Sequence, residues 1–211
     1  AGPAAGTGYL VGTMIGVNGM FLRGDLTYRP IPLPYRADLS NEEIKLAADD
    51  FYVMATQRHT VRDFSSRPVD LSVIQTSVKS AGLAPSGANH QPWHFVAVSD
   101  VDVKRQIRNA AEEEERKFYA GGAGDEWIKA LEPIGTKASK AHLEDAPWLI
   151  VIFAERYGQF DGGTRYKNYY VPESVGIAAG FLILALHYAG LVSLTYTPNP
   201  MKFLNELLDK G

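Results

Sequence analysis

The sequence predicts one globular domain of mixed α and β structure, in which helices separate the strands. Three apolar stretches have the length and composition of strands, at His94–Val98, Trp148–Phe153 and Leu191–Thr195. Helical patterns lie between them, so the strands are not joined by hairpins. The length of 211 residues suits a single domain with a sizeable core.

The first helices are marked by their ends. Ser40 and Glu43 form a capping box, which predicts a helix running to Gln57. A second helix is expected from Leu71 to Leu83, because Pro85 disfavours helical backbone just before it.

The following helices are less regular. Asp100 is a good N-cap for a helix to Tyr119, and the glycine-rich stretch 121–124 then breaks the pattern. Three more helices are expected, at Glu126–Leu143 with an interruption near Pro133, at Pro172–Gly190, and at Met201–Asp209.

Composition excludes several classes of function. A net charge of −3 with no long basic stripe gives no reason to expect nucleic-acid binding. The absence of cysteine excludes disulfides, thiolate metal sites and cysteine nucleophiles. The five histidines lack metal-ligand spacing, so no metal site is expected.

Residues 1–27 are expected to form an N-terminal arm, followed by a domain over 28–211. Ala1–Leu22 carries no charge, and Gly8, Gly12 and Gly16 have the spacing of a membrane helix interface. Its many glycines favour a flexible or surface-packed arm instead. The protein is therefore expected to be cytoplasmic, with membrane association through residues 1–22 as the alternative.

The Pro172–Gly190 helix is apolar on all sides, so all of its sides need cover. In a chain of this size, this predicts that a second subunit covers part of it.

Two segments indicate a cofactor. Arg58–Arg62 places two guanidinium groups, an imidazole and a hydroxyl within five positions, which suits a phosphate and nearby polar atoms. The small residues Gly87 and Ala88 let a flat ring approach the backbone. A phosphate joined to a planar ring describes a mononucleotide, and flavin is favoured.

With these motifs, the chain resembles the nitroreductase superfamily of FMN enzymes, and within it the iodotyrosine deiodinases. The resemblance covers Tyr28–Leu208 through an ordered set of motifs, from the basic run to the Thr195–Pro198 segment. It implies an α+β fold, an α-β-α sandwich, in which two chains interlock as a homodimer around two flavins. Family members continue with a further strand and a basic FMN contact, so the domain is expected to be truncated at Gly211.

The resemblance also implies the cofactor contacts. The residues expected at the FMN phosphate, ribityl chain and ring polar atoms are Arg58, His59, Thr60 and Arg62. Those expected on one flavin face, from the partner subunit, are Pro85, Ser86 and Gly87. Those expected beside the isoalloxazine are Thr195, Tyr196 and Thr197. The Thr197 hydroxyl, near flavin N5, is the expected catalytic group.

A further set of residues would bind substrate. Glu115 and Tyr119 are four apart in a predicted helix, and Lys140 follows Tyr119 by the family's spacing. The resemblance implies that Glu115 receives the ammonium of a halotyrosine, while Lys140 and Tyr119 receive its carboxylate. The backbone N–H of Ala88 would face the phenolate. Without the resemblance, the sequence pattern favours a solvated glutamate run for Glu115 and a surface lysine for Lys140.

The implied reaction is reductive dehalogenation of 3-iodotyrosine and other halotyrosines to tyrosine and halide. Reduced FMN would supply single electrons. NAD(P)H would be the indirect electron source through a reductase, or the direct donor as the alternative. The segment after Tyr119 would act as a lid. Two alternatives remain open at this point. One is a general NAD(P)H-dependent nitroreductase or flavin reductase, and the other is a non-catalytic flavin or halotyrosine binding protein.

Overall fold

A computed structural model describes residues 10–11, 38–122, 124–159 and 163–208. Their helices are α1 Asn41–Thr56, α2 Leu71–Gly82, α3 Val101–Lys117, α4 Asp125–Leu131, α5 His142–Asp145, α6 Val171–Tyr188 and α7 Phe203–Leu207. Their strands are β1 Leu10–Val11, β2 Trp93–Val98, β3 Leu149–Ala154, β4 Tyr157–Gln159 and β5 Arg165–Lys167. Single helical turns of other types occur at Gly87–Asn89, Phe118–Gly122 and Glu132–Ile134.

The central layer is an antiparallel sheet with helices on both faces. The order is β1-β2-β3, with Trp93 opposite Ala154 and Val98 opposite Leu149. Every residue of β2 is buried. Trp93, Phe95 and Ala97 pack with α2 and α6, whereas Val96 and Val98 pack with α3 and α7, because side chains alternate along a strand. The predicted α-β-α sandwich is confirmed.

Several local predictions are confirmed as well. The Ser40 side chain and Glu43 form the capping box at the start of α1. Asp100 caps α3 by accepting hydrogen bonds from the backbone N–H groups of Asp102 and Val103. These contacts depend on residues two or three positions apart, so the sequence alone identifies them.

Two element predictions are wrong. Leu191–Thr195 forms no strand, because its described strand-type pairing is a single parallel bridge between Thr60 and Ser193. A strand needs a neighbour that satisfies its backbone groups along its length. The predicted helix Glu126–Leu143 has its expected interruption, because α4 ends at Leu131 and the left-handed Gly135 ends the turn that follows, but helical structure resumes only at His142. Strands β1, β4 and β5 were not predicted.

Helix α6 packs against α2 and β3 at the centre of the domain. Among the described residues it is the helix whose length and composition would allow it to cross a membrane. Within one chain, Ile177 and Phe181 remain 42% and 43% exposed. The expectation that this chain alone cannot cover α6 therefore agrees with the burial. Apart from Leu10 and Val11, the predicted N-terminal arm lies outside the described residues.

Candidate functional site

The glutamate run of α3 divides between the interior and the solvent. Glu112 and Glu115 are about one helical turn apart and lie on one face. Their side chains are only 16% and 13% exposed. Glu113 and Glu114 instead pair with the exposed Lys117, at 3.2 and 2.8 Å, and Glu113 itself is 62% exposed. The inner two glutamates are therefore placed to build a site.

Lys140 reaches this inner face because the chain leaves helical geometry before it. Gly135 adopts φ 67° and ends the turn Glu132–Ile134. The backbone N–H of Lys140 then donates to Glu112 Oε1 at 2.8 Å. Its Nζ donates to Thr136 Oγ1 at 3.1 Å. The residue is thus fixed against α3 through its backbone, while the tip of its side chain makes polar contacts.

Arg108 links Glu112 to α5. Arg108 Nε lies 2.7 Å from Glu112 Oε1, and another nitrogen of the same guanidinium lies 3.1 Å from Glu144 Oε1. Burial acts to raise the pKa of Glu112, but hydrogen bonds from the Lys140 backbone and from Arg108 outweigh it and lower the pKa. Glu112 is therefore a negatively charged brace beneath Lys140 at neutral pH.

Glu115, Lys140 and Tyr196 form a second group, which we call the Glu115 cluster. Lys140 Nζ lies 3.1 Å from Glu115 Oε2, and the Lys140 side chain is 6% exposed. The Tyr196 hydroxyl donates to Glu115 Oε1 at 2.9 Å. Burial and the adjacent Glu115 carboxylate raise the pKa of Tyr196 well above its usual range, so the hydroxyl stays protonated as a donor.

His142 packs against this cluster. Its ring meets the Tyr196 ring edge-on, with centroids 5.5 Å apart. Its Nε2 is buried, and no described group hydrogen-bonds to it. Burial, followed by the charge of Lys140, lowers the pKa of His142 and favours the neutral imidazole.

Tyr119 comes two residues after the end of α3. It lies in the π-helical turn Phe118–Gly122, and its ring packs edge-on against Phe118, with centroids 5.4 Å apart. The hydroxyl that meets Glu115 belongs to Tyr196. The predicted contact of Tyr119 with a substrate carboxylate stays a prediction.

The basic run lies beside the 195–197 segment through the bridge between Thr60 and Ser193. The predicted cofactor residues of these two segments are all exposed or half-buried: Arg58, His59, Thr60, Arg62, Thr195, Tyr196 and Thr197. Neither Arg58 nor Arg62 forms an ion pair with another residue that the structure describes. Two such guanidinium groups beside hydroxyl-bearing residues fit the phosphate and polar atoms of FMN.

The loop 85–91 has an unusual backbone. Ala88, Asn89 and Gln91 have φ values of 49°, 55° and 49°, in the left-handed region that non-glycine residues rarely adopt. The Gln91 N–H donates to Ser86 Oγ at 2.9 Å, which helps to hold this conformation. Pro85 and Ala88 are exposed. Such geometry is frequent at functional sites.

Gly87 also lies close to the start of α6. A Cβ atom there would lie 2.9 Å from the Tyr169 carbonyl oxygen and 3.0 Å from the Tyr170 ring. The Gly87 N–H donates to Ser174 Oγ at 3.2 Å. Within this chain, a side chain at this position is therefore excluded by its neighbours, and the predicted contact of Gly87 with a flat ring stays a prediction.

Residues 55–209 match the nitroreductase family. The chain belongs to this family. Among its nitroreductase-family relatives, the iodotyrosine deiodinase of Haliscomenobacter hydrossis is 49% identical over 183 residues, covering 86% of this chain and 82% of that protein. Human iodotyrosine deiodinase 1 is 40% identical over 168 residues, covering 80% of this chain and 58% of the human protein.

A solved structure agrees with the nitroreductase assignment. The crystal structure of an oxidized iodotyrosine deiodinase bound to FMN and 3-iodo-L-tyrosine has a TM-score of 0.67 and 35% sequence identity. The match covers 76% of this chain and 81% of that one. The resemblance stated from the motifs is thereby confirmed.

Sequence reasoning missed the supports around the predicted residues, namely Arg108, Glu112 and His142. One signal was available for Glu112, since it stands three residues before Glu115 and shares its helix face. Tyr196 was predicted beside the flavin, but its contact with Glu115 spans 81 positions and has no local signature.

Proposed function

We propose that this protein catalyses the FMN-dependent reductive dehalogenation of 3-iodotyrosine and other halotyrosines, yielding tyrosine and halide. The observation that carries the proposal is the buried pair of opposite charges formed by Glu115 and Lys140. An amino-acid zwitterion presents one ammonium and one carboxylate, and this pair supplies the complement of each. The relatives named iodotyrosine deiodinase support the same substrate class.

The head group is bound by charge exchange. Glu115 receives the substrate ammonium, and Lys140 receives its carboxylate with help from the Tyr119 hydroxyl. Both protein charges are largely shielded from water, so the ligand charges that replace their mutual contact are held strongly. The backbone N–H of Ala88 donates to the phenolate oxygen at the other end of the substrate.

The proposed FMN site uses two segments of this chain. When bound, FMN supplies the electrons that reduce the carbon–halogen bond. Arg58 and Arg62 hold the phosphate, and His59 and Thr60 contact the ribityl chain and ring polar atoms. Of the 195–197 segment, Thr197 acts as the catalytic hydroxyl by donating a hydrogen bond near the flavin N5 atom.

A second copy of the chain completes the site. Helix α1 exposes Phe51, Tyr52 and Val53 at 54%, 69% and 55%, and α6 exposes Ile177 and Phe181. Apolar surface of this extent is rarely left open on a monomer. A groove of about 760 Å³ between α1, α2 and α6 adds to this surface, and none of its lining residues belongs to the predicted ligand sites.

In the proposed homodimer, Pro85, Ser86 and Gly87 of one subunit line the flavin face of the other. Replacing Phe181 with Asp is expected to yield monomers in light-scattering chromatography and to lower the FMN content. Val101, which is 61% exposed on α3, provides the matched control as Val101→Asp. A Phe181→Asp protein that stayed dimeric would contradict this arrangement.

The electron supply and location follow from the same proposal. NAD(P)H serves as the indirect electron source through a reductase, and NAD(P)H as the direct donor is the alternative. The protein acts in the cytoplasm, and contact of residues 1–22 with a membrane is the alternative.

The deciding experiment titrates the purified, FMN-loaded protein with 3-iodotyrosine and follows flavin fluorescence. Quenching is expected, followed by iodide release under dithionite. Lys140→Ala should weaken binding by at least tenfold, because a charged hydrogen bond contributes about 1.5–3 kcal/mol. Lys117→Ala, the surface lysine of the same glutamate run, should bind as the unaltered protein does.

The other outcomes separate the rival functions. Unchanged 3-iodotyrosine binding in Lys140→Ala would contradict the deiodinase proposal and favour a general nitroreductase. Bound FMN and bound 3-iodotyrosine without iodide release would favour a non-catalytic binding protein.

A further inference from the structure

The carboxylate of Glu115 has both of its oxygens engaged before any ligand arrives. Oε1 accepts a hydrogen bond from the Tyr196 hydroxyl, and Oε2 forms an ion pair with Lys140 Nζ at 3.1 Å. A substrate ammonium that binds Glu115 therefore has to replace one of these two donors. Which donor leaves determines how the head group is held.

The two donors differ in how firmly they are placed. The Tyr196 side chain has two rotatable bonds, and its ring is wedged edge-on against His142 and lies 5.5 Å from Lys140 Nζ. The Lys140 ammonium ends a flexible four-carbon stem, and it donates a hydrogen bond to Thr136. Lys140 is thus the donor that can move, and Tyr196 is the donor that stays.

We propose that Tyr196 is a positioning residue for the substrate ammonium, because its hydroxyl holds the Glu115 carboxylate in place while Lys140 swings to the substrate carboxylate. This inference rests on the proposed function. The exchange keeps one ammonium on Glu115 Oε2 throughout, so no buried charge is left uncompensated. Without the Tyr196 hydroxyl, the Glu115 carboxylate is free to move with Lys140. Glu115 and Lys140 then stay paired and do not separate to bind the two charges of the substrate.

This role differs from the one expected for Tyr196 beside the flavin ring. It also makes the tyrosine a link between the head-group site and its neighbours Thr195 and Thr197. A flavin contact and a Glu115 contact predict different ligand selectivity, which provides the test.

The test compares two ligands on the FMN-loaded protein by flavin fluorescence. They are 3-iodotyrosine and its desamino analogue, 3-(4-hydroxy-3-iodophenyl)propionate, which keeps the ring and the carboxylate but lacks the ammonium. Tyr196→Phe removes the hydroxyl and preserves the ring contacts. It is expected to lower the affinity for 3-iodotyrosine roughly tenfold, which is the effect of one hydrogen bond to a charged group. The affinity for the analogue is expected to change by less than about twofold.

Steady-state kinetics give a second readout. The Tyr196→Phe variant is expected to have a higher KM and a kcat within about twofold of the unaltered protein. The reason is that its proposed contact acts on the substrate head group and not on the reacting ring. Tyr119→Phe is the matched variant, because it removes the same atom from the tyrosine proposed for the carboxylate. It is expected to weaken both ligands equally.

Three results would overturn the inference. They are equal losses for both ligands in Tyr196→Phe, no loss for either ligand, and a loss of bound FMN in that variant. An unaltered protein that bound neither ligand would overturn the proposed function itself, and the inference with it.

Discussion

Breaking the pair between Lys140 and Glu115 is the sharpest test of the site's physical basis. At 3.1 Å and an effective dielectric constant of about 20, the gross attraction is about 5 kcal/mol. Lys140→Met retains most of the apolar stem but leaves Glu115 charged, with Tyr196 as the remaining partner in the cluster. Removing one member of a buried pair costs about 3–5 kcal/mol, and the Tyr196 hydrogen bond favours the lower end.

The assay is urea unfolding followed by circular dichroism at constant FMN. With an m-value of about 3 kcal/mol/M, a loss of about 3 kcal/mol lowers the midpoint by roughly 1 M. Lys117→Met, whose side chain is 60% exposed, is expected to cost less than about 1 kcal/mol. The double variant Glu115→Gln/Lys140→Met should recover part of the loss, because it removes the uncompensated charge.

Equal effects of Lys140→Met and Lys117→Met on the free energy of unfolding would refute this reasoning. The inner and outer members of the glutamate run would then be energetically equivalent, and the pair would not be buried in solution.

Three further predictions concern pH, packing and the cofactor. The pKa of His142 lies below its ordinary value of 6.5 because the ring is buried, so the unfolded chain binds the proton more readily. The contribution of neutral His142 to stability is complete above pH 6.5 and is lost as the pH falls toward the lower folded pKa. In thermal melts between pH 7 and 5, His142→Asn should therefore remove this fall of the melting temperature with falling pH. Gly87→Ala is expected to destabilise by about 1–3 kcal/mol, because its Cβ would lie 2.9 Å from a carbonyl oxygen. Gly82→Ala, with open space around its Cβ, should be neutral or stabilise by up to about 1 kcal/mol, and the reverse order in urea midpoints would contradict the geometry. Arg62→Ala should lower FMN affinity at least tenfold in fluorescence titrations, whereas Arg105→Ala, an exposed residue paired with Asp102, should not. Equal affinities of the two arginine variants would argue against a phosphate at the basic run.

The elements that the sequence predicted are those fixed by nearby residues. The capping box of Ser40 and Glu43 acts over three positions. The continuous apolar run of β3 is typical of a strand covered on both faces, and its side chains pack in the clusters on the two sides of the sheet. Local capping and burial patterns are written directly into the order of the residues.

The parts that the sequence could not predict depend on long-range contacts. Leu191–Thr195 has the composition of a strand, but strand formation depends on a neighbouring ladder that no local pattern specifies. The sequence indicates that Glu112 and Glu115 share a helix face, but their contacts with Lys140 come from a segment outside that helix. Tyr196 joins this group from far along the chain.

The brace between Glu112 and Lys140 has a consequence for how this region can vary. The chain departs from the end of α3 at Phe118 and is fastened back onto the same helix at Lys140. Both ends of the segment, at Phe118 and Lys140, are therefore attached to one helix, α3. The entropic cost of closing a longer loop is small, about 0.6 kcal/mol for each doubling of the loop length. Insertions and deletions between these two ends can thus change the segment over a ligand. The charges of Glu115 and Lys140, which bind the ligand's head group, would keep their positions.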